Sequence, residues 1–324
     1  MTESEQPQSV CIFCGCTLSD KFCNTCDIFG NSYEIRRCLQ CPAYFLSPMP
    51  SEQMLAQAYD VSYYGDQETK FKAGIIERVL DGFRNYRAHK IAAKLPQKAR
   101  ILDIGCGNGN FLEFLSSNKD LELHGIERDM KAAARAMSKQ GMTIKTTPLE
   151  TGDYPAEYFD AVTLFHVFEH LTHPAETLHI IEQILKPGGI LYLSFPNIAS
   201  FQAQLFRGKW LHLDPPRHLF FFKPSVLKHI MKQRGFSCIS ERYISLEQNP
   251  FGMVQSLLNL VFKKREILFE RLKGNTDYAP ECGKFCIFMQ KAFFMVSYPF
   301  FAIHDILVSL FRKGATVTLI FQKK

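Results

Sequence analysis

Three groups of residues in the sequence have types and spacings that can do chemistry. The first lies in "LDIGCGNGNFL" (102–112), where Gly105, Gly107 and Gly109 follow an apolar run and precede a helical pattern. Glycines in that position let the backbone approach a nucleotide-like ligand closely. A dinucleotide fingerprint, G-x-G-x-x-G, would need its third glycine at position 110, where the chain has Asn110. The spacing here is G-x-G-x-G, which disfavours an NAD-dependent oxidoreductase. Asp103, two residues before the first glycine, can organise the loop and hold the amino group of a cationic ligand. Glu127, after the next apolar run, can accept hydrogen bonds from both hydroxyls of a ribose.

The second group is "HVFEH" (166–170), which fits H-x-x-E-H, the inverted zinc-peptidase pattern. That chemistry needs His166 and His170 on one helix, four apart and facing one metal. The third is a run of cysteines. Seven of the eleven fall before residue 42: Cys11, Cys14, Cys16, Cys23, Cys26, Cys38 and Cys41. Cys11-x-x-Cys14 and Cys38-x-x-Cys41 are separated by 23 residues, close to the spacing of a zinc ribbon with two thiolates from each knuckle. Cys23-x-x-Cys26 is a third knuckle and Cys16 is spare, so an inner pairing or a larger cluster stays open. A redox role or an iron–sulfur cluster is the weaker reading.

The elements that must hold these groups follow from periodicity. "RILDIG", "LELHGIE", "MTIKTT", "FDAVTLFH" and "ILYLSF" read as buried strands. "GNFLEFLSS", "DMKAAARAMSKQG" and "PAETLHIIEQIL" read as helices between them, with "KPGG" a turn. Alternating strands and helices predict a parallel sheet covered on both faces. "FSCISERYI" and "ATVTLIFQ" add two later strands. His166 then ends an apolar strand, its relation to His170 is not helical, and the peptidase match is fortuitous.

Taken together, "LDIGCGNG", "GIERD" (125–129), "FDAVTLFHVFEHLTHP" (159–174) and "LKPGGILYLSFPN" (185–197) resemble the class I S-adenosylmethionine-dependent methyltransferases over roughly residues 70–245. More narrowly, the chain is similar to bacterial members with a cysteine-bearing N-terminal segment and a "PPRHL" loop, here Pro215–Leu219. The resemblance implies an α/β, Rossmann-like sheet of seven strands in the order 3-2-1-4-5-7-6, the last antiparallel, with "ATVTLIFQ" as that strand. It implies that Gly105, Gly107 and Gly109, with Cys106 and Asn108 between them, approach the methionine part of S-adenosylmethionine. Asp103 would take its amino end, Glu127 the ribose, Leu149 and Glu150 the adenine, and Phe165 with His166 would close the pocket. It also favours Cys11, Cys14, Cys38 and Cys41 as the ligands of a structural Zn²⁺. The expected organisation is a cysteine module over 1–48, a helical lead-in and lid over 49–98, a core over 99–248, an apolar helical insertion over 249–312, and a last strand over 313–324.

Methyl transfer from a sulfonium is an in-line displacement that needs an aligned acceptor and, for a hydroxyl or carbon acid, a base. His166 and His218 are the candidate bases, with Glu169 and His170 beside the former. In quinone-ring O-methyltransferases a similar stretch carries acids and a histidine implicated in a divalent-metal site. Glu169 and His170 match it, but His166 replaces the first acid. The loop over 207–224 brings Trp210, His212, Asp214, Arg217 and His218, and reads as an acceptor cap with aromatic walls. The expected activity is O- or C-methylation of a small-molecule, sugar or lipid-linked acceptor. The alternative is a non-catalytic protein that binds S-adenosylmethionine or uses its zinc ribbon for interaction.

The 324 residues carry a formal net charge of +6 with 22% charged residues, ordinary for a folded chain and no nucleic-acid signature. "MTESEQPQSV" lacks the basic-then-apolar order of a signal sequence. No apolar run reaches the roughly 18–20 residues of a spanning helix, since Pro299 and Asp305 interrupt the longest. A cytoplasmic protein is therefore expected, with thiols free or on metal rather than in disulfides. Two readings fit the insertion at 249–312, whose flanks are basic: helices lying on the inner membrane surface, or helices packed on the domain or on a second subunit.

Overall fold

The computed structural model describes residues 9–60, 74–275 and 277–324; of the expected lead-in and lid, residues 61–73 lie outside the described residues. The chain opens with β1 (Ser19–Cys26), β2 (Ser32–Cys38) and β3 (Tyr44–Ser47), followed by helices α1 (Glu52–Asp60) and α2 (Gly74–Ala92). The predicted alternation then appears as β4 (Arg100–Ile104), α3 (Asn110–Asn118), β5 (Glu122–Ile126), α4 (Met130–Met137), β6 (Met142–Lys145), β7 (Phe159–Phe165), α5 (Pro174–Ile184) and β8 (Leu185–Pro196). After it come α6 (Phe201–Phe206), β9 (Phe220–Phe221), α7 (Pro224–Gln233) and β10 (Phe236–Arg242). Helices α8 (Asn249–Val261), α9 (Ile267–Lys273) and α10 (Lys284–Leu310) precede the last strand, β11 (Thr316–Lys323).

These elements form two compact units. One draws on Ala73–Phe195, Lys228–Glu241 and Thr318–Lys324; the other on Met1–Lys72, Pro196–Leu227 and Arg242–Val317.

In the first, seven strands run in the order β10-β11-β8-β7-β4-β5-β6. Read from β6 as the third strand, this is the 3-2-1-4-5-7-6 order expected of the methyltransferase sheet. The neighbours of β4 are parallel, with Ile101 opposite Leu123 on one side and Ala161 on the other. β11 opposes β8 in the reverse sense. Ser194 Oγ meets Thr318 Oγ1 at 2.6 Å, while towards the far end Gln322 Nε2 donates to Gly188 O at 3.1 Å. The inner strands are buried on both faces, as parallel strands under helices must be: Ile101, Leu102, Ala161, Val162, Leu191 and Leu193 are all fully buried. The "KPGG" segment is part of β8, paired to β7 at Phe159↔Leu185 with an irregularity before Ala161↔Ile190.

In the second unit, β1, β2 and β3 form an antiparallel meander whose fourth strand is β9, with Tyr44 opposite Phe221 and Phe45 opposite Phe220. So short a segment cannot bury a core of its own. Tyr33, Ile35 and Leu46 instead pack with Trp210, Leu213, Phe221 and Met253. Arg265, 2% exposed, ties the meander to the later chain: Nη1 donates to Thr25 Oγ1 (2.8 Å) and Cys26 O (2.6 Å), and Nη2 to Trp210 O (3.2 Å).

Two expectations are corrected here. Helix α10 is continuous over 27 residues despite Pro299, so an apolar helix of spanning length is present. Asp305 is accommodated because Asn249 Nδ2 (2.8 Å) and the Ser245 amide (3.1 Å) donate to its carboxylate. And Cys282 and Cys286, four residues apart, are joined in a disulfide, where only free or metal-bound thiols were expected.

Candidate active site

The glycine loop is the turn from β4 into α3. Gly105, Gly107 and Gly109 all have positive φ, at 77°, 57° and 77°, the left-handed region that only glycine occupies freely. A Cβ on Gly105 would strike the side chain of Val167, whereas one on Gly107 would meet nothing within 4 Å. The loop is therefore closed against the end of β7 at Gly105 and open at Gly107. Its amides divide accordingly: those of Gly105 and Cys106 donate to Ile126 O, and that of Gly107 donates to Glu127 Oε2 at 2.8 Å. The Cys106 side chain packs into the core with Phe111 and Leu112, and burial pushes its thiol up. Asn108 Oδ1 accepts from the Asn110 amide at 3.4 Å.

Two carboxylates sit under this loop. Asp103 is 4% exposed and accepts from Thr163 Oγ1 at 2.5 Å. Burial pushes its carboxyl up to about 7, against the opposing influence of the Thr163 hydroxyl and the Arg87 guanidinium. A carboxylate so placed gains most from a cation that arrives with a ligand. Glu127 takes backbone amides on both oxygens, Gly107 on one and Asp129 on the other at 2.8 Å. Each oxygen keeps a second lone pair for a hydroxyl. Burial raises it as well.

The remaining expected contacts come from the segments that follow β6 and end β7. Leu149 is half-buried and Glu150 exposed, in a turn after β6 where Lys145 pairs with Asp153 and Asp153 Oδ2 accepts the Glu150 amide at 2.7 Å. Phe165 ends β7, edge-on to Phe111 at 5.2 Å. The guanidinium of Arg87, from α2, lies 4.6 Å above its ring. Periodicity revealed α2 as a helix but not that Arg87 stands by Asp103. Neighbouring Arg84 pairs with Asp81 (2.6 Å) and Glu77 (3.0 Å), and Asp81 accepts from Asn110 Nδ2 at 3.1 Å, which fastens α2 to the start of α3.

His166 follows β7 with a left-handed backbone, φ 57°, and its amide donates to Ser194 O. Its Nδ1 lies 3.5 Å from Glu169 Oε1, and Glu169 is 1% exposed. Residues 168–170 form a single 3₁₀ turn, not the helix a peptidase motif requires, and the His170 amide caps Val167 O.

The other unit carries the second candidate base. His218 Nδ1 donates to His212 O at 2.8 Å, leaving Nε2 directed towards Asp214 at 3.7 Å. Asp214 is bidentately paired with Arg217, at 2.5 and 3.0 Å. Burial acts to raise Asp214, but Arg217 and His218 overcome it and hold the carboxyl below the usual range. Lys273 and Glu270 of α9, a buried pair at 2.5 Å, also belong to this network, since Lys273 is influenced by Arg217 and Asp214. Trp210 is fully buried in the core of its unit.

At the N-terminal cysteines, Cys11, Cys14, Cys38 and Cys41 bring their sulfurs within 4.8 Å of one another, with Cys11–Cys41 at 3.6 Å and Cys14–Cys38 at 3.5 Å. A tetrahedral Zn²⁺ with bonds of about 2.3 Å needs sulfurs about 3.8 Å apart, so the set fits that ion. Burial pushes the Cys38 thiol up, and the amides of Gln40 and Cys41, which donate to its Sγ at 3.4 and 3.5 Å, oppose that shift. Cys16, Cys23 and Cys26 lie outside this group.

Comparison with known proteins agrees with this geometry. A methyltransferase-domain profile matches residues 78–241. The ubiquinone biosynthesis O-methyltransferase of Azoarcus sp. (strain BH72) is 29% identical over 172 residues, covering 49% of this chain and 72% of that one. The protein of the same description from Shewanella sp. (strain ANA-3) is 27% identical over 176 residues, covering 51% and 70%. Among solved structures, the cyclase SpnF superposes with TM-score 0.51 at 17% identity, covering 85% of this chain and 96% of that one. A putative sarcosine dimethylglycine methyltransferase from Galdieria sulphuraria gives 0.50 at 13% identity, covering 84% and 97%. At such identities these two structures speak for the fold alone.

Proposed function

The chain belongs to the methyltransferase-domain family, as an enzyme with S-adenosylmethionine as its co-substrate, and from that premise we propose that it methylates a hydroxyl oxygen on a small-molecule, sugar or lipid-linked acceptor. S-adenosylmethionine supplies an electrophilic methyl group on a sulfonium sulfur. The buried Asp103 carboxylate answers the ammonium end of such a ligand, and the open edge at Gly107 leaves room for its chain. The spare lone pairs of Glu127 take the ribose hydroxyls.

The observation that carries the oxygen acceptor is the His166–Glu169 pair, 3.5 Å apart. It follows the strand whose end packs against Gly105 through Val167. A carboxylate beside an imidazole orients the ring and stabilises its protonated form, the state reached after a hydroxyl proton is removed. His166 is thus the base and Glu169 its positioning partner. The O-methyltransferase relatives support the same choice of acceptor atom. His218, held by His212 O and facing Asp214, is the second candidate.

The test is turnover of isotopically labelled S-adenosylmethionine with fractionated small molecules, and assignment of the labelled methyl by NMR. His166→Gln should lower kcat by roughly 10²–10⁴-fold with cofactor affinity unchanged. A methyl group on carbon or nitrogen, or full turnover in the variant, overturns the proposal.

The four convergent thiols support a structural Zn²⁺ held by Cys11, Cys14, Cys38 and Cys41. Elemental analysis should find one zinc per chain, retained in Cys16→Ser and lost in Cys38→Ser together with a drop in melting temperature. Metal-free protein with an unchanged melt refutes the site.

A further inference from the structure

Helix α10 has its polarity reversed. Its buried residues are Gln290, Ser297 and Asp305, each with a polar partner. Gln290 donates to the Cys282 and Cys286 sulfurs, Ser297 Oγ to Phe293 O at 2.6 Å, and Asp305 accepts from Asn249 at 2.8 Å. Outward stand Phe285, Phe288, Met295, Val296, Phe300 and Leu310, each 64–76% exposed. At about 100° per residue these six fall within an arc of roughly 140°. A surface helix in water buries its apolar stripe and exposes its polar one; this helix does the opposite over a length of about 40 Å.

The charges say what the medium is. Between Lys284 and Lys313 the only acid is Asp305, which is buried, while Lys284, Lys291, Arg312 and Lys313 are exposed. An apolar face of this breadth, fringed by cations along the helix and by one acid before it, Glu281, which is paired with Lys264 at 3.2 Å, complements an anionic lipid surface, with aromatic and aliphatic side chains among the acyl chains and basic ones at the headgroups. A crossing of the bilayer is opposed by how the helix is held. Tyr298 Oη donates to Leu246 O at 2.7 Å, Asp305 binds Asn249 and the Ser245 amide, and Asn249 Oδ1 in turn accepts from Thr316. The helix is strapped along its own unit from its middle to its C-terminal end, so only one side can be immersed.

We propose that the outward face of α10 seats this protein in the plane of an anionic membrane, as a monotopic contact with the helix parallel to the surface. This goes beyond the methyl-transfer reading and does not depend on which acceptor is used.

The test is flotation of the full chain with vesicles of phosphatidylglycerol and phosphatidylcholine, against vesicles of phosphatidylcholine alone. The chain should float with the anionic vesicles. The triple variant Phe288→Glu, Val296→Glu, Phe300→Glu should float at least tenfold less while keeping the wild-type circular dichroism. Arg312→Glu with Lys313→Glu should lose the preference for anionic lipid. As a check that needs no disruptive change, Phe300→Trp should be quenched by brominated acyl chains. Absence of flotation at low salt, flotation indifferent to the triple variant, or an unquenched Trp overturns the proposal. So does a dimer in sedimentation that the triple variant dissolves without any vesicle binding, which would assign the face to a second copy.

Discussion

Asp103 and Asp214 are two enclosed aspartates, one in each unit, and they titrate in opposite directions. Both lose water, which disfavours the charged form. Asp214 has its cations built in, with Arg217 bidentate and His218 at 3.7 Å, and stays ionised far into acid. Asp103 has one hydroxyl bond from Thr163 and a more remote Arg87, and rises to about 7. The first is a finished ion pair. The second is half of one, which is what a binding site for a cationic ligand looks like before the ligand arrives.

The largest effect expected from this contrast is on Asp214. Its replacement by Ala takes the bidentate carboxylate from Arg217, 4% exposed, and should cost on the order of 3–5 kcal/mol in urea unfolding. A loss below about 1 kcal/mol would mean that the pair is not an enclosed one. Asp103→Asn should instead weaken S-adenosylmethionine binding about 100-fold, or about 2.7 kcal/mol by calorimetry. The same change should stabilise the ligand-free protein, by on the order of 2 kcal/mol at pH 8. The sign follows from the raised value. The folded state holds a proton that the unfolded chain releases near pH 4, so stability falls as pH rises from about 4 through about 7, and Asn removes that fall. A melt of the variant that tracks wild type at every pH would break the comparison. The smallest effect is on wild-type affinity, which should drop roughly tenfold between pH 7.5 and 6 as the Asp103 carboxylate protonates. Asp214 has the opposite sign, its contribution present above about pH 4 and lost below.

Much of the first aspartate's setting is legible in the sequence. A buried strand, three glycines and an acid two residues upstream fix the turn, because only glycine tolerates φ near +60° to +80° in succession. The sheet order followed from the motif order. The N-terminal cysteines were legible as pairs, and the structure brings the outer four, Cys11, Cys14, Cys38 and Cys41, together. The second aspartate's setting was not legible. Lys273, Glu270 and Arg265 lie in the insertion that read only as apolar helices with basic flanks, and their burial depends on tertiary packing that no local window reports. Arg87 was hidden for the same reason, being a helix residue brought to β4 by packing alone. The polarity of α10 was likewise invisible, since composition shows apolar residues but not which face the rest of the unit covers. Pro299 argued for a break, yet one proline removes a single backbone donor and α10 continues through it.

The contacts of Arg265 with the first strands set a clock for synthesis. Arg265 and Thr25 are separated by 240 residues, so at roughly 5–20 residues per second the ribosome delivers the guanidinium some 12–48 s after the threonine. For most of that interval the meander β1–β3 has neither its fourth strand, β9 at Phe220–Phe221, nor its staple. What it does have is the four convergent thiols, all made within the first 41 residues. A metal bound early would hold these strands in register until the rest of their unit emerges, a placeholder in time before it is a brace in space.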